Sequence, residues 1–250
     1  MAMPRLPRLS LAALVLASLA CSAVLPPRPK VEWDHSPDFL VAVAQTGGGM
    51  MYDPNPMPEA RLWGDGRLVW VDQDQNGARQ VFVAQLSGDE MRALLQLFVN
   101  AGFFGWKDTY SPGQVMDAPS SCLSVELQSA DKSVCEVLSG APAKFHDLYA
   151  ALASGAGKPG TDFVPTRAYL QVTPFPVDAN TNVAEWNAAA LGLSLASVGE
   201  GQWVEGPALE RAWEIVNAHH QNPVARDGQD RYTLILLVPG LTTLEPPSQQ

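Results

Sequence analysis

The sequence predicts an α+β fold of mainly antiparallel sheets with three helices packed on them, and three observations carry that expectation. Several short segments alternate apolar and polar residues, the pattern of half-buried strands, and Asn76-Gly77 joins two of them as a hairpin turn. Three other segments place apolar residues at helical spacing between cap signals. The 21 prolines and 20 glycines among 250 residues punctuate the chain too often for a plain helical bundle. A composition of 46% hydrophobic and 17% charged residues supplies the material of a sizeable core.

The chain opens on Arg5 and Arg8 followed by an apolar run from Leu9 to Ala20 without an acidic residue, the layout of an export signal over residues 1–20. That run is shorter than the roughly 20 residues a membrane helix needs. It ends Ser18-Leu19-Ala20-Cys21, and a cysteine at this point resembles the lipobox at which bacterial lipoproteins are cleaved and acylated. Ser18 stands where that pattern more often has leucine, and Ser18-x-Ala20 also fits ordinary signal cleavage, which would give a secreted or periplasmic soluble protein. Two acyl chains on Cys21 would anchor a soluble body to a membrane. Residues 21–37, with Pro26, Pro27 and Pro29, then read as lipid anchor and tether. Loss of Arg5 and Arg8 leaves 14 basic against 26 acidic residues, about −12, a surface that repels nucleic acid.

Residues 38–155 read as an N-terminal α+β domain. Asp38 to Gln45 is a first strand and Arg61-Leu62-Trp63 a short second. Arg67 to Asp72 and Arg79 to Gln85 form the Asn76-Gly77 hairpin, in a register that sets Trp70 beside Val83 and Val71 beside Phe82. Ser87-Gly88-Asp89-Glu90 is a capping box, and Met91, Leu94, Leu95 and Phe98 follow on one helical face up to Gly102. Cys122 and Cys135 lie in a strand pair. In an oxidising compartment an even number of cysteines suggests a bridge. A turn at Ser129-Ala130-Asp131-Lys132, however, sets Cys122 opposite Ser139 and Cys135 opposite Glu126. The two are then four residues out of register, about 13 Å apart at ~3.3 Å per residue, beyond the ~7 Å limit for bridged Cα atoms; a bulge or another turn would change this. A second helix starts near Pro142 and carries Phe145, Leu148, Tyr149 and Leu152 to Gly155.

Residues 156–167 read as a linker and 168–250 as a C-terminal α+β subdomain. Ala168 to Thr173 and Leu191 to Ser197 are expected strands, Pro207 to about His219 a third helix with Leu209, Trp213 and Val216 buried, and Arg231 to Val238 a central strand.

Thr46-Gly47-Gly48-Gly49, Leu62-Trp63-Gly64-Asp65-Gly66-Arg67-Leu68, the helix end Ala101-Gly102-Phe103-Phe104, Asp117-Ala118-Pro119 and the closing Tyr232 to Gly240 together resemble a group of uncharacterised exported bacterial proteins, often lipoproteins. The resemblance implies an envelope address and no activity.

Chemistry-bearing patterns are few. Asp72-x-Asp74-x-Asn76-Gly77 copies the start of a calcium loop, but the twelfth position is Val83, so a hairpin is the better reading. His219 and His220 point about 100° apart on a helix and do not converge on one ion; placed in the last turn, they suit the helix dipole. Gly47-Gly48-Gly49 lacks the Lys of a phosphate loop, and no nucleophile elbow occurs. Trp70 and Trp213 fall at core positions; Trp33, Trp106, Trp186 and Trp203 lie in less regular segments, where core or rim packing is the leading reading and exposed, sugar-binding rings the alternative. The sequence therefore supplies no catalytic residue, no metal ligand and no cofactor, and one modification site, Cys21. Its leading expectation is a non-enzymatic envelope lipoprotein, membrane-bound through Cys21, that binds another envelope protein or a cell-wall component. The rival is a small secreted hydrolase or glycan-binding module using the Gly47–Gly49 loop and the irregular-segment tryptophans.

Overall fold

The computed structural model describes residues 28–49, 53–113, 117–176 and 182–248; the segment read as an export signal and Cys21 lie outside the described residues. The fold is α+β, with two mixed, mostly antiparallel sheets.

The first sheet is built from β1 (Leu40–Gly47), β2 (Ala60–Trp63), β3 (Arg67–Gln73), β4 (Arg79–Gln85), β5 (Thr109–Tyr110), β6 (Ser120–Leu127), β7 (Ala130–Val137) and β8 (Thr161–Asp162), in the order β5-β7-β6-β1-β2-β3-β4-β8. Helices α1 (Gly88–Ala101) and α2 (Lys144–Ala153) cover one face. Period-two alternation aims Ala42, Ala44, Leu62, Leu68, Trp70, Leu123, Val125 and Val134 at Met91, Leu95, Phe98, Phe145, Leu148 and Leu152. The capping box of α1 forms as the sequence reads it. Ser87 Oγ accepts from Glu90 N while Glu90 accepts from Ser87 N, and Gly102 closes the helix at φ 75°. Lys158 and these Ser87 bonds hold the Glu90 carboxyl down at about 2.

The second sheet comprises β9 (Ala168–Pro174), β10 (Ala184–Glu185), β11 (Gln202–Val204), β12 (Val224–Asp227) and β13 (Asp230–Leu237), ordered β10-β12-β13-β9-β11, so the apolar closing strand is central. Helix α4 (Gly206–Ala218), with a proline in its first turn, and the single turn α3 (Ala188–Leu191) pack on one face through Leu209, Ala212, Trp213 and Val216 against Leu170, Leu234 and Leu236. This second core also takes Trp63, Val69 and Val81 from the reverse face of the first sheet, so the two halves share buried apolar surface. Part of the segment read as a linker is strand β8, paired with Phe82 and Val83, and its Gly160 lies against the Trp70 indole.

Three expectations are corrected. In the β3–β4 hairpin Trp70 faces Phe82 and Val71 faces Val81, one residue from the expected register. The loop is longer than two residues: Asp74 N donates to Ala78 O, Gly77 N donates to Asp74 O, and Gly77 sits at φ 84°, a turn followed by a left-handed glycine. The slip exchanges faces and puts both aromatic rings in the first core, 5.5 Å apart.

In the β6–β7 hairpin only residues 128 and 129 separate the strands, and Cys122 faces Cys135 directly. They form a disulfide with Cα atoms 4.1 Å apart, against the expectation that they stand out of register. Because Cys135 N donates outward to Asp108 O, the pair is a non-hydrogen-bonded one, the arrangement that brings facing side chains closest.

Leu191 to Ser197 is not a strand: it holds the end of α3, a short irregular link and a tight turn. Asn187 caps α3 by accepting from Ala190 N, Gly192 ends it at φ 69°, and residues 195–197 form a single tight turn. Local cap and turn chemistry outweighs the alternation of Leu191, Leu193 and Leu195.

Candidate functional site

The joint between the halves is built from polar groups the sequence does not single out. Asn55, 1% exposed, lies in a proline-rich loop and reaches the side of β13 left free beyond β12. Its Nδ2 donates to Leu234 O at 3.1 Å and its Oδ1 accepts from Leu236 N at 2.6 Å, so one side-chain amide replaces a neighbouring strand's peptide group. Arg79 donates to Asn55 O and pairs with Asp53. Arg61 donates to Gly240 O at 2.7 Å and to Thr242 O at 3.3 Å, fastening the C-terminal segment.

His220 packs into the same joint. It is buried beside the β3–β4 turn, with its Nε2 3.4 Å from Gln73 Nε2, and a hydrogen bond to the Gly77 backbone. Burial, then the Arg79 guanidinium, lower its pKa; Asp53 and the Gly77 bond partly oppose them. The ring thus lies beyond the end of α4, and the last-turn dipole position expected for it is not what it occupies. His219 and His220 line one cleft of about 210 Å³ with Asn76, Gly77, Asn182, Gln221 and Asn222, a set with neither carboxylate nor hydroxyl.

The remaining candidates separate in space. Asp74 Oδ1 accepts from Asn76 N and Ala78 N, and Asp72 Oδ1 accepts from Gln73 N, so the calcium-like carboxylates serve the turn. Among the described residues no group of three or more His, Cys, Asp or Glu side chains is placed to hold a metal. Gly47 to Gly49 closes on the Asp117–Pro119 segment, where a Cβ at Gly48 would stand 2.7 Å from Ala118 O; a backbone crossing explains that glycine. A buried carboxylate, Glu136, accepts from Ala141 N and meets His146 Nε2 at 3.2 Å, tying the turn after β7 to α2. Tyr149 on α2 has its hydroxyl buried without a hydrogen-bond partner, and burial raises its pKa.

Two of the four irregular-segment tryptophans are core residues. Trp33 Nε1 donates to Gly64 O at 3.0 Å and Trp186 Nε1 to Leu193 O at 2.7 Å, and both rings are buried. Trp106 is half-buried against Phe103. Trp203 is also half-buried and differs in its setting. It lies on β11 opposite Tyr169, with ring centroids 5.7 Å apart, and the Arg167 guanidinium stands 4.5 Å from its centroid.

These two rings belong to the second sheet's face away from Leu170, Leu234 and Leu236. Across it run Trp203, Tyr169, Gln171, Thr173, Thr233 and Ile235, all half-buried or exposed. The helices of this half pack on the opposite face. Leu237, opposite Tyr169, and Val224, opposite Thr233, share this face and are buried, and Gln171 Nε2 donates to Glu200 O, so what is accessible is a mixed apolar and polar strip from Trp203 to Thr173.

No protein-family model matches the chain, and comparison with characterised proteins finds no similar one.

The chemistry rests on the side chains alone. Among the described residues no serine, threonine or cysteine side chain is seen hydrogen-bonded to a histidine, the minimum for an activated nucleophile. Asp34, His35 and Glu126 share one wide cleft, with Asp34 accepting from Ser36 N. No helix among the described residues is long and apolar enough to cross a membrane.

Proposed function

We propose that the chain is a lipid-anchored envelope protein, acylated at Cys21, whose body binds another envelope protein or a cell-wall component without catalysing a reaction. The observation that carries the binding half is the accessible strip of the second sheet, where Trp203, Tyr169, Gln171 and Thr173 stand on paired strands and, among the described residues, the helices pack on the opposite face. Half-exposed aromatic rings beside hydroxyl and amide groups suit a partner that is apolar at one edge and hydrogen-bonding at the other. The anchor half is supported by the arginine-led apolar run ending at Cys21, by the proline tether, and by the resemblance to exported lipoproteins.

Each half has its own test. Cys21→Ser, or inhibition of the lipoprotein signal peptidase, moves the protein from the membrane to the soluble fraction; unchanged fractionation rejects the anchor. A photocrosslinking residue at Thr173 in the lipidated protein captures a discrete envelope component that the same residue at Asn100, exposed on α1, does not. Equal capture at both positions rejects the sheet face as the binding surface.

A further inference from the structure

The disulfide lies on a different open surface. Successive residues of β6 and β7 alternate faces, and Leu123, Val125, Leu127 and Val134 face the core under α1 and α2. Cys122 and Cys135 therefore point to the reverse face of the first sheet. There the second half covers β2, β3 and β4 through Trp63, Val69 and Val81, while the described cores place no residue of it over β6 and β7. The neighbours of the bridge in its own row are Gln45, opposite Cys122, and Thr109, opposite Cys135, and both are exposed. One step along is the pair Ser124 and Ser133, whose hydroxyls are 2.9 Å apart. Both cysteines are half-buried, with Gln45, Thr109, Ser120, Ser124 and Ser133 around them and the half-buried Val43 and Val137 on the same face.

The bridge also repeats a constraint that other contacts already impose. Eight residue pairs hold β6 to β7, and a one-residue slip would turn the core-facing side chains to solvent. The native arrangement of the strands is thus specified whether or not the sulfurs are joined.

We propose that Cys122–Cys135 is a thiol–disulfide exchange site on the folded protein, with an external dithiol as its co-reactant. One thiolate of the dithiol attacks a bridge sulfur; the S–S bond breaks as a mixed disulfide forms, and the other cysteine leaves as a thiolate. The second thiolate of the reagent attacks its own sulfur in the mixed disulfide and releases the first cysteine. The bridge gains two electrons and two protons, and the dithiol is oxidised to its disulfide. Strands β6 and β7 stay paired throughout.

The test uses the full chain carrying Cys21→Ser, so that only these two cysteines report. The bridge is reduced by dithiothreitol in native buffer, quenched by alkylation at intervals, and counted by mass. Direct exchange makes the rate proportional to reagent, about tenfold for a tenfold increase, indifferent to urea below the unfolding transition, and reversible on adding oxidised glutathione with circular dichroism unchanged. A rate that levels off with reagent and rises with urea shows that the chain must unfold first, and overturns the proposal. Single-cysteine chains, Cys21→Ser with Cys122→Ser or with Cys135→Ser, supply a second reading. At least one of them, folded, forms a mixed disulfide with oxidised glutathione at a rate within about tenfold of an unstructured thiol peptide; protection of both overturns the proposal.

Discussion

The two hairpins of the first sheet are held in different ways. β3–β4 feeds two cores at once: Leu68, Trp70 and Phe82 pack under α1 and α2, while Val69 and Val81 pack against α4 and the second sheet. β6–β7 has one core face, through Leu123, Val125 and Val134, and on its other face carries the bridge among mostly polar residues, with Ser124 and Ser133 on one side and Ser120 and Val137 on the other. A strand pair buried on both sides takes its register from two sets of contacts. One buried on a single side needs only half as much apolar sequence, and a covalent link stands where the second core would be.

The sharpest way to break this contrast is Trp70→Ala. The indole lies over Phe82 and so close to two glycines that a Cβ at Gly155 would stand 2.6 Å from it and one at Gly160 2.3 Å. Neither glycine backbone can follow the lost ring without moving the segment that joins the halves. We expect a loss of about 3–5 kcal/mol by urea denaturation. A loss below about 1.5 kcal/mol would mean that the two-sided packing adds little. Asn55→Ala strikes the same joint from the other side, leaving Leu236 N and Leu234 O buried and unpaired. With each of the two orphaned groups costing about 1–2 kcal/mol, the lower part of the usual range, the expected loss is about 2–4 kcal/mol. Amide exchange at Leu236 should also accelerate by more than its strand neighbours.

On the single-sided hairpin the corresponding change is Cys122→Ser with Cys135→Ser. The cysteines lie 13 positions apart, and closing a loop of that size restricts the unfolded chain by about 3 kcal/mol. The double variant should lose about 2–3 kcal/mol while retaining its circular dichroism and the cross-strand contacts of Leu123 and Val134. Loss of those contacts would show that the bridge, not the core face, sets the register.

The same contrast marks what was legible in the sequence. The helices were, because caps are local: Ser87 with Glu90, Gly102, and Pro207 each act within one turn. Strand register was not, because it depends on how many residues the turn consumes. Asn76-Gly77 is the right glycine in a longer loop, and the turn after Leu127 uses two residues where four were expected. The bridge was lost through that error. Core packing was the leading reading for Trp33 and Trp186, but nothing local singled them out from Trp106 and Trp203, because the carbonyls that accept from them, Gly64 O and Leu193 O, are brought up by the fold. Asn55 has no signature at all, since its role depends on how far β12 runs along β13. For the candidate surface the sequence offered Trp203 as one of four rings; only the pairing of β11 with β9 sets it beside Tyr169 on an open face.

The smallest expected effect tests whether the joint responds to acid. The neutral His220 ring fits its place: it lies against Gly77 and Gln73, near Arg79 and Asp53, and burial together with Arg79 lowers its pKa. The unfolded chain then binds the proton more tightly than the folded one, so stability falls as protons are added. The contribution of His220 is complete above its unfolded value, about 6.5, and is lost as pH falls through the lower folded value. Asp53 and the Gly77 bond oppose this shift, which is why the effect ranks last. Stability measured from pH 8 to pH 5 should decline more steeply in the native protein than in His220→Gln, which keeps a hydrogen-bonding side chain and removes the titration. Every other titrating group is common to both proteins, so the difference between the two curves isolates the imidazole. Parallel curves would show that the ring is hydrated in the folded state and that the β3–β4 turn does not press on the end of α4 tightly enough to exclude water.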